Sequence, residues 1–142
     1  MLVRCLYASR AAAPLAGAAI DAIVEQSRRN NPQRGITGML CFADDIFIQV
    51  LEGGRDEVCR LFNTLVGDQR HRDVTMLLFE EIAERRFGSW TMGQVDFARA
   101  NQGLLLKYYE KPAVNPFASS GHATLALMDE MVRTGAITSR MK

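Results

Sequence analysis

The order of patterns along the chain predicts an α+β fold, a ferredoxin-like sandwich with the element order βαββαββ and two C-terminal helices packed on the sheet. Short runs rich in β-branched and aromatic residues alternate with two stretches of helical apolar spacing in the first two thirds of the sequence. Right-handed crossovers place both of those helices on one face of the sheet. Two further helical patterns follow. Because so short a helical hairpin cannot bury its own apolar residues, it is expected to cover the opposite face.

The composition is that of an ordinary globular domain. The chain has 142 residues, of which 48% are hydrophobic and 23% charged, enough for one sizeable core. A net charge of +1 leaves no electrostatic footprint for nucleic acid. We also expect no membrane association, because no apolar run approaches the length of a span and residues 1–20 lack the order of a signal peptide. Cys5, Cys41 and Cys59 form no CxxC pair, so we expect buried thiols and a cytoplasmic location.

Each element is predicted from its spacing and its boundaries. Strands are expected over residues 1–9, 36–42, 46–51, 74–79 and 90–97, and helices over residues 15–28, 54–66, 101–110 and 119–134. The first helix should end before Pro32, because the residue ahead of a proline avoids the α region. Residues 68–73 are dense in polar side chains, which predicts a loop. In the first strand, Arg4 suggests that the even-numbered face is partly open to water, so that Tyr7 points inward.

The hairpin over residues 34–53 contains a polar residue among apolar neighbours. Strand side chains alternate between faces, so Gln49 projects on the same side as Phe47 and Leu51. A buried amide with an unmet hydrogen bond costs roughly 1–3 kcal/mol. Gln49 is therefore either exposed on a one-sided sheet or bonded to a polar group held against that face.

Two other sets of residues are explained by their place in the predicted fold. Trp90, Met92 and Gln94 alternate along the fifth strand and are expected to share one face. Glu52, with two acidic residues that follow it, lies where a strand ends and a helix begins, so helix capping explains it.

The predicted topology brings together polar residues that carry no enzyme signature. The sequence contains no GxGxxG, P-loop, GxSxG or HExxH motif, and it has too few histidines for a His-rich metal site. Tyr7 and Gln49 lie on central strands and face the gap between the two helices. Asn31 lies at the mouth of that gap, and Ile23 and Leu65 are candidates for its apolar walls. Such a slot suits a flat ligand with polar edges. The spacing of these residues does not identify that ligand.

Several short motifs follow one another in an order and at a spacing that match one family. They are YAS at 7–9, NNPQRGITGML at 30–40, FIQVLEG at 47–53, DQRH at 68–71, RRF at 85–87 and SWTMG at 89–93. With these motifs the chain resembles a BLUF domain, a blue-light sensor that binds a flavin. The resemblance covers about residues 1–97. Residues 98–142 resemble the helical hairpin of the short stand-alone members, and we expect them to serve output or oligomerisation.

The resemblance implies a role for each residue at a matching position. Tyr7 would be the photochemical donor of an electron and a proton, and Gln49 the amide between Tyr7 and the flavin. Asn31 would bind the carbonyl and imide edge of the flavin, and Trp90 and Met92 would transmit the signal. The expected flavin contacts as a set are Ile23, Ser27, Asn30, Asn31, Leu65, Asp68, Arg70 and His71.

The function implied by the resemblance is a photoreceptor, not an enzyme. Light would rearrange the hydrogen bonds of Gln49, and the change would pass to a downstream signalling protein. FAD is the expected cofactor, with FMN and riboflavin as open alternatives, and a homodimer or larger homo-oligomer is expected. Two other functions fit the same fold. One is a small anion-binding hydrolase resembling acylphosphatase that acts through Arg70 or Arg34, and the other is an oligomerisation or nucleic-acid module on the open sheet face.

Overall fold

The computed structural model describes residues 1–14 and 17–134 and, as backbone alone, residues 137–139. The strands are β1 (Leu2–Ala11), β2 (Thr37–Ala43), β3 (Ile46–Gly54), β4 (His71–Ile82), β5 (Gly93–Asp96) and β6 (Ile137–Ser139). The helices are α1 (Gly17–Arg34), α2 (Arg55–Val66), α3 (Gln102–Tyr108) and α4 (Gly121–Arg133), with short 3₁₀ turns over Phe97–Arg99 and Pro116–Ala118. In this described part of the chain, no helix is long and apolar enough to cross a membrane.

The strands form one sheet in the order β4-β1-β3-β2-β5-β6, in which β2 and β5 run parallel and the other neighbours antiparallel. The first five strands with α1 and α2 confirm the predicted ferredoxin-like order βαββαββ. β1 and β3 are neighbours in the interior of the sheet, and their register sets Tyr7 directly opposite Gln49. Strand β6, which the sequence did not predict, pairs with the outer edge of β5.

Each face of the sheet has its own hydrophobic core. Beneath α1 and α2 the core includes Ile20 and Val24 of α1 and Val58 of α2. Beneath α3 and α4 the core includes Leu105 of α3 and Met128 of α4. The prediction that the C-terminal helices cover the opposite face is therefore confirmed. Full burial of one such aliphatic side chain stabilises the fold by roughly 1.5–3 kcal/mol, so both layers contribute substantially.

Helix α1 continues past Pro32, so the predicted stop before that residue is wrong. A proline removes one hydrogen bond of the helix ladder, and here the loss falls in the last turn of α1. The helix ends instead at Arg34, and the next residue, Gly35, has a positive φ of 66°. The N–H of Gly35 donates to the carbonyl of Pro32 at 3.2 Å, and that of Ile36 to the carbonyl of Asn31 at 3.1 Å. The added turn keeps Asn31 helical and buried. Residues 15 and 16, where we predicted the helix to start, lie outside the described residues.

Two strand boundaries also differ from the prediction. β4 begins at His71, so half of the polar stretch predicted as a loop pairs with β1, with His71 opposite Ala11. β5 begins only at Gly93, so Trp90 and Met92 precede it. A polar composition did not prevent β4 from extending because the neighbouring strand supplies its backbone partners.

Arg4 is buried, contrary to the expectation that its face is open to water. Only 4% of its surface is exposed, and it lies opposite Glu52 in the pairing of β1 with β3. The Nε of Arg4 donates to Glu52 at 2.8 Å, and its Nη1 donates to Glu80 at 2.8 Å. Glu52 also accepts the backbone N–H of Arg86 at 3.1 Å and of Phe87 at 2.6 Å. Glu52 is therefore a buried ion-pair partner that holds the loop after β4, not a helix cap.

Candidate functional site

A cavity of about 240 Å³ lies between α1 and α2 on one face of the sheet. Its floor consists of side chains from β1, β2 and β3, and its walls come from α1, α2 and the residues that follow α2. The lining residues are Tyr7, Ile23, Gln26, Ser27, Asn30, Asn31, Arg34, Leu40, Phe47, Gln49, Leu61, Thr64, Leu65, Asp68, Arg70 and His71.

Hydrogen bonds join three buried side chains beneath the cavity. The hydroxyl of Tyr7 donates to the Oε1 of Gln49, and the Nε2 of Gln49 donates to the Sδ of Met92 at 3.4 Å. Tyr7 and Gln49 are only 3% and 4% exposed, and Met92 is fully buried. A thioether accepts hydrogen bonds but cannot donate them, so the NH2 group of Gln49 faces Met92 and its oxygen faces Tyr7. The alternative of an exposed glutamine on a one-sided sheet is thereby excluded, since Gln49 is buried and bonded.

The environment of Tyr7 keeps its phenol protonated. Burial raises the pKa of Tyr7 far above its ordinary value, and the nearby Cys5 and Asp68 raise it further, while Arg70 opposes the change. The ring of Tyr7 meets that of Phe62 edge-on, with 5.6 Å between the ring centroids. Tyr7 therefore offers a proton that it does not lose to water at neutral pH.

Helix α1 forms one wall of the cavity through residues spaced by helical turns. Ile23, Ser27, Asn30 and Arg34 recur every three or four positions, which places them along one stripe of the helix. The hydroxyl of Ser27 donates to the carbonyl of Ile23 at 3.2 Å. Asn31, only 2% exposed, adds a buried amide next to this stripe. This wall is apolar at Ile23 and polar along the rest of its length.

Arg70 lies at the exposed rim of the cavity, where Asp68 holds it. The Nη2 of Arg70 donates to the carboxylate of Asp68 at 2.6 Å and to the Oε1 of Gln26 at 3.2 Å. The backbone N–H of Arg70 donates to Asp68 at 2.9 Å. The hydrogen bond with Arg70 holds the pKa of Asp68 below its usual range, and Asp68 in turn raises the pKa of Arg70. The rim therefore carries a fixed cation and a fixed anion at neutral pH.

His71 joins three elements at the inner end of the same rim. Its Nε2 lies 2.5 Å from the carbonyl oxygen of Leu65, and its Nδ1 lies 2.7 Å from the hydroxyl of Ser9. A carbonyl only accepts, so Nε2 carries a hydrogen and donates it to Leu65. His71 thus ties the end of α2 to β1 and β4 beside the cavity.

Trp90 and Met92 lie on opposite faces of the sheet, so the prediction that they share one face is wrong. Met92 belongs to the core beneath α1 and α2, whereas Trp90 packs against the core beneath α3 and α4. The physical reason is that these residues precede β5 and do not follow strand alternation. A methyl group at Gly93 would lie 2.4 Å from the Sδ of Met39 and 3.4 Å from Trp90, which shows how closely the chain crosses here.

The structure brings together most of the residues that the sequence singled out. All eight predicted flavin contacts line the cavity, as do Tyr7 and Gln49, whereas Met92 touches Gln49 and Trp90 lies on the far face. Helical spacing from Ile23 would have predicted the two lining residues of α1 that were missed, Gln26 and Arg34. The position of Leu40 depends on its pairing with Gln49, which the sequence does not reveal. The lining residues not predicted as contacts are Gln26, Arg34, Leu40, Phe47, Leu61 and Thr64.

Residues 2–93 match the family described as "BLUF: Sensors of blue-light using FAD". The chain therefore belongs to the BLUF family of flavin-binding blue-light sensors. It is 36% identical over 92 residues to the photoactivated adenylate cyclase subunit beta of Euglena gracilis. That match covers 64% of this chain but only 11% of the Euglena protein, so the chain spans a small part of that relative.

Two solved BLUF structures are similar along nearly their whole length. BlsA in its photo-activated state superimposes with a TM-score of 0.82 at 28% identity, covering 100% of this chain and 99% of BlsA. BlrB, a BLUF protein in its dark state, superimposes with a TM-score of 0.72 at 30% identity, covering 94% of this chain and 96% of BlrB. The likeness therefore includes α3 and α4 as well as the sheet and the cavity.

Proposed function

We propose that this domain is a light-driven switch in which Tyr7 and Gln49 form the relay and residues 90–92 carry the signal onward. Residues 98–142 then pass it to a partner protein. The observation that supports this most directly is the buried series of hydrogen bonds from Tyr7 through Gln49 to Met92. The series begins at the cavity and ends in the segment that joins the two cores.

The residues around the cavity fit a flavin. Ile23 and Leu65 supply apolar walls on opposite helices, which suits the two faces of a flat ring. The amides of Gln49 and Asn31 supply donors and acceptors for a carbonyl and imide edge. When bound, the flavin absorbs blue light and takes up an electron and a proton. We assign the remaining contacts of the ring edge and side chain to Ser27, Asn30, Asp68, Arg70 and His71.

FAD is the flavin that we assign to the site, with FMN and riboflavin as alternatives. The family description names FAD. The rim of the cavity also carries Arg70, which stays cationic and exposed, and a guanidinium suits a phosphate group. Because the phosphate-bearing part of a flavin extends beyond its ring, Arg70 is well placed to distinguish FAD and FMN from riboflavin.

The relay depends on the different hydrogen-bonding capacities of its members. Tyr7 holds its proton against the Oε1 of Gln49 and can release it there. Gln49 can exchange its donor and acceptor ends by rotating or by tautomerising. Met92 only accepts, so turning the oxygen of Gln49 towards it removes that hydrogen bond. One rearranged buried bond is worth about 1–3 kcal/mol, which biases a two-state equilibrium by about 5–150-fold.

The segment of residues 90–92 offers a route out of the site. Met92 touches Gln49, and Trp90, two positions earlier, packs against the core beneath α3 and α4. We therefore assign residues 1–97 to sensing and residues 98–142 to output or oligomerisation. Leu106 on α3 is 52% exposed and offers an apolar contact to a signalling protein or to a second copy in a homodimer.

We assign no catalytic activity to the domain itself. A hydrolase of the acylphosphatase type could use Arg70 or Arg34, which line the cavity, but it has no need of the buried hydrogen bonds from Tyr7 through Gln49 to Met92. The whole-length likeness to BlsA and BlrB also supports a sensor. We place the protein in the cytoplasm, since Cys5, Cys41 and Cys59 are free thiols, as is usual in a reducing compartment.

The proposal is tested by absorption spectra of the full chain in the dark and under blue light. The wild-type spectrum is expected to show a bound flavin, to shift slightly to the red on illumination and to recover in darkness. Gln49→Leu should keep the flavin, because leucine preserves the volume, but lose the shift, because it can neither donate nor accept. Gln33→Leu, at an exposed position of α1 outside the lining of the cavity, is the matched control, and its spectrum should shift as that of the wild type does.

Two outcomes would overturn different parts of the proposal. A light response that persists in Gln49→Leu would exclude Gln49 as the relay. A protein that stays colourless after flavin is added would exclude this cavity as the flavin site and would favour the hydrolase alternative.

A further inference from the structure

Three consecutive carbonyl groups, those of residues 90–92, are each held by a different donor. These residues form no helix or strand, so their backbone position depends on such contacts. The donors to the carbonyls of Trp90, Thr91 and Met92 are, in order, the backbone N–H of Gly38 at 3.0 Å, the Nδ2 of Asn31 at 2.9 Å and the Nε of Arg28 at 3.3 Å.

Arg28 differs from the other two donors in its surroundings. Asn31 lines the cavity and Gly38 belongs to β2, whereas Arg28 lies on α1 outside the lining of the cavity. Its side chain is partly buried and donates to Met92, whereas the side chain of its neighbour Arg29 is exposed. Arg28 therefore reaches Met92 without contributing to the surface on which a flavin would lie.

Arg28 and Gln49 act on the same residue from different sides. Arg28 holds the backbone carbonyl of Met92, and Gln49 donates to the Sδ of its side chain. A methionine side chain is flexible, so the place of its sulfur depends on a fixed backbone. A thioether sulfur is also a weak acceptor, so the hydrogen bond from Gln49 stabilises little unless the sulfur stays in one place. Fixing the backbone of Met92 thus governs how well Met92 holds the amide of Gln49.

We propose that Arg28 is a positioning residue, which fixes Met92 against Gln49 and thereby sets the rate at which the relay returns to its dark arrangement. The structural half of this proposal stands on the contacts of Arg28 and Met92. The photochemical half rests on the relay proposed above, so the two halves need separate measurements.

Three substitutions of Arg28 distinguish the effect of its hydrogen bond from the effect of its charge. Arg28→Gln places an amide nitrogen at the same distance along the side chain as the Nε of arginine, so it keeps a donor and loses the charge. Arg28→Lys keeps the charge but places a methylene there. Arg28→Met loses both and keeps the apolar stem. Arg29→Met is the control, since it makes the same chemical change at the neighbouring position of α1.

The first measurement is the NMR signal of the Met92 methyl group in the full chain, recorded with and without added flavin. The signal is assigned to Met92 by its absence from the spectrum of Met92→Leu. We expect this signal to move in Arg28→Met and Arg28→Lys, and to keep its wild-type position in Arg28→Gln and Arg29→Met. A wild-type signal in Arg28→Met and Arg28→Lys would overturn the proposal, and so would an equal change in all three variants at position 28.

The second measurement is the rate of dark recovery after blue light, followed by absorption. We expect a change of about threefold or more in Arg28→Met and Arg28→Lys, since that is the effect of losing one modest hydrogen bond. The flavin should stay bound in every variant. An unchanged rate beside a displaced Met92 signal would overturn the photochemical half. A wild-type chain without any light response would overturn the proposed function. The Met92 signal would then test only whether Arg28 positions Met92.

Discussion

Gln49 and Glu52 are both buried polar residues of β3, but they face opposite sides of the sheet. Glu52 accepts hydrogen bonds from Arg4 and from two backbone N–H groups, so its carboxylate has strong partners on every side. Gln49 has Tyr7 at one end and only the weak acceptor Met92 at the other. A carboxylate held in this way stays in place, whereas an amide with one weak partner can rearrange. We therefore expect the same strand to carry a structural anchor, Glu52, and the proposed switch, Gln49.

The anchor can be tested by unfolding. Glu52→Gln is expected to lower the free energy of unfolding by about 2–4 kcal/mol, because it weakens a buried ion pair and sets an N–H donor against other donors. Glu80→Gln is the control and should lower the free energy of unfolding by only about 0–1 kcal/mol. Glu80 is partly exposed, and Arg4 retains its ion pair with Glu52 in this variant. Urea titration followed by circular dichroism measures both values. Equal costs would contradict the role of Glu52.

At the scale of elements, the C-terminal hairpin is held by a close approach between α4 and β4. A methyl group at Gly121, the first residue of α4, would lie 2.4 Å from the carbonyl oxygen of Leu77. The hairpin is also joined within itself, because the hydroxyls of Tyr109 and Thr124 lie 2.8 Å apart. α3 and α4 therefore form one unit, and the start of α4 lies in close contact with the backbone of β4.

Alanine at two helix positions tests this docking. Gly121→Ala is expected to lower the free energy of unfolding by about 1–3 kcal/mol, because a backbone carbonyl cannot give way to the new methyl group. Gly103→Ala in α3 should be neutral or stabilise by up to about 1 kcal/mol, since its methyl group meets Asn101 only at 3.4 Å and alanine favours a helix. Thermal unfolding of the two variants measures the difference. A neutral Gly121→Ala would show that α4 does not depend on this contact.

The sequence predicts elements well and contacts between elements poorly. Apolar spacing indicated the helices and most strands, and alternation placed Tyr7 and Gln49 on the inner face. The pairing of Arg4 with Glu52 could not be predicted, because the register between two strands is set by the fold and not by either strand alone. Likewise, alternation misplaced Trp90 relative to Met92, because the strand begins after both residues.

At the scale of the whole molecule, one sheet separates the cavity from the hairpin. The core beneath α1 and α2 surrounds the cavity, and the core beneath α3 and α4 lies on the other side. The segment of residues 90–92 contributes a side chain to each core just before β5. β5 then contacts α4 on one face and pairs with β2 and β6 at its edges. We therefore expect a displacement of Met92 to affect several elements at once.

This arrangement predicts where light should change the protein. Amide hydrogen exchange of the full chain is expected to change by about fivefold or more in β5 and α4 under blue light, because a rearranged bond of Gln49 shifts the equilibrium of the strand that follows Met92. Mass spectrometry of the illuminated and dark protein measures the change, with Gln49→Leu as the control that should show none. Changes confined to α1 and α2 would contradict an output through the hairpin and would direct the search for a partner to the cavity side of the sheet.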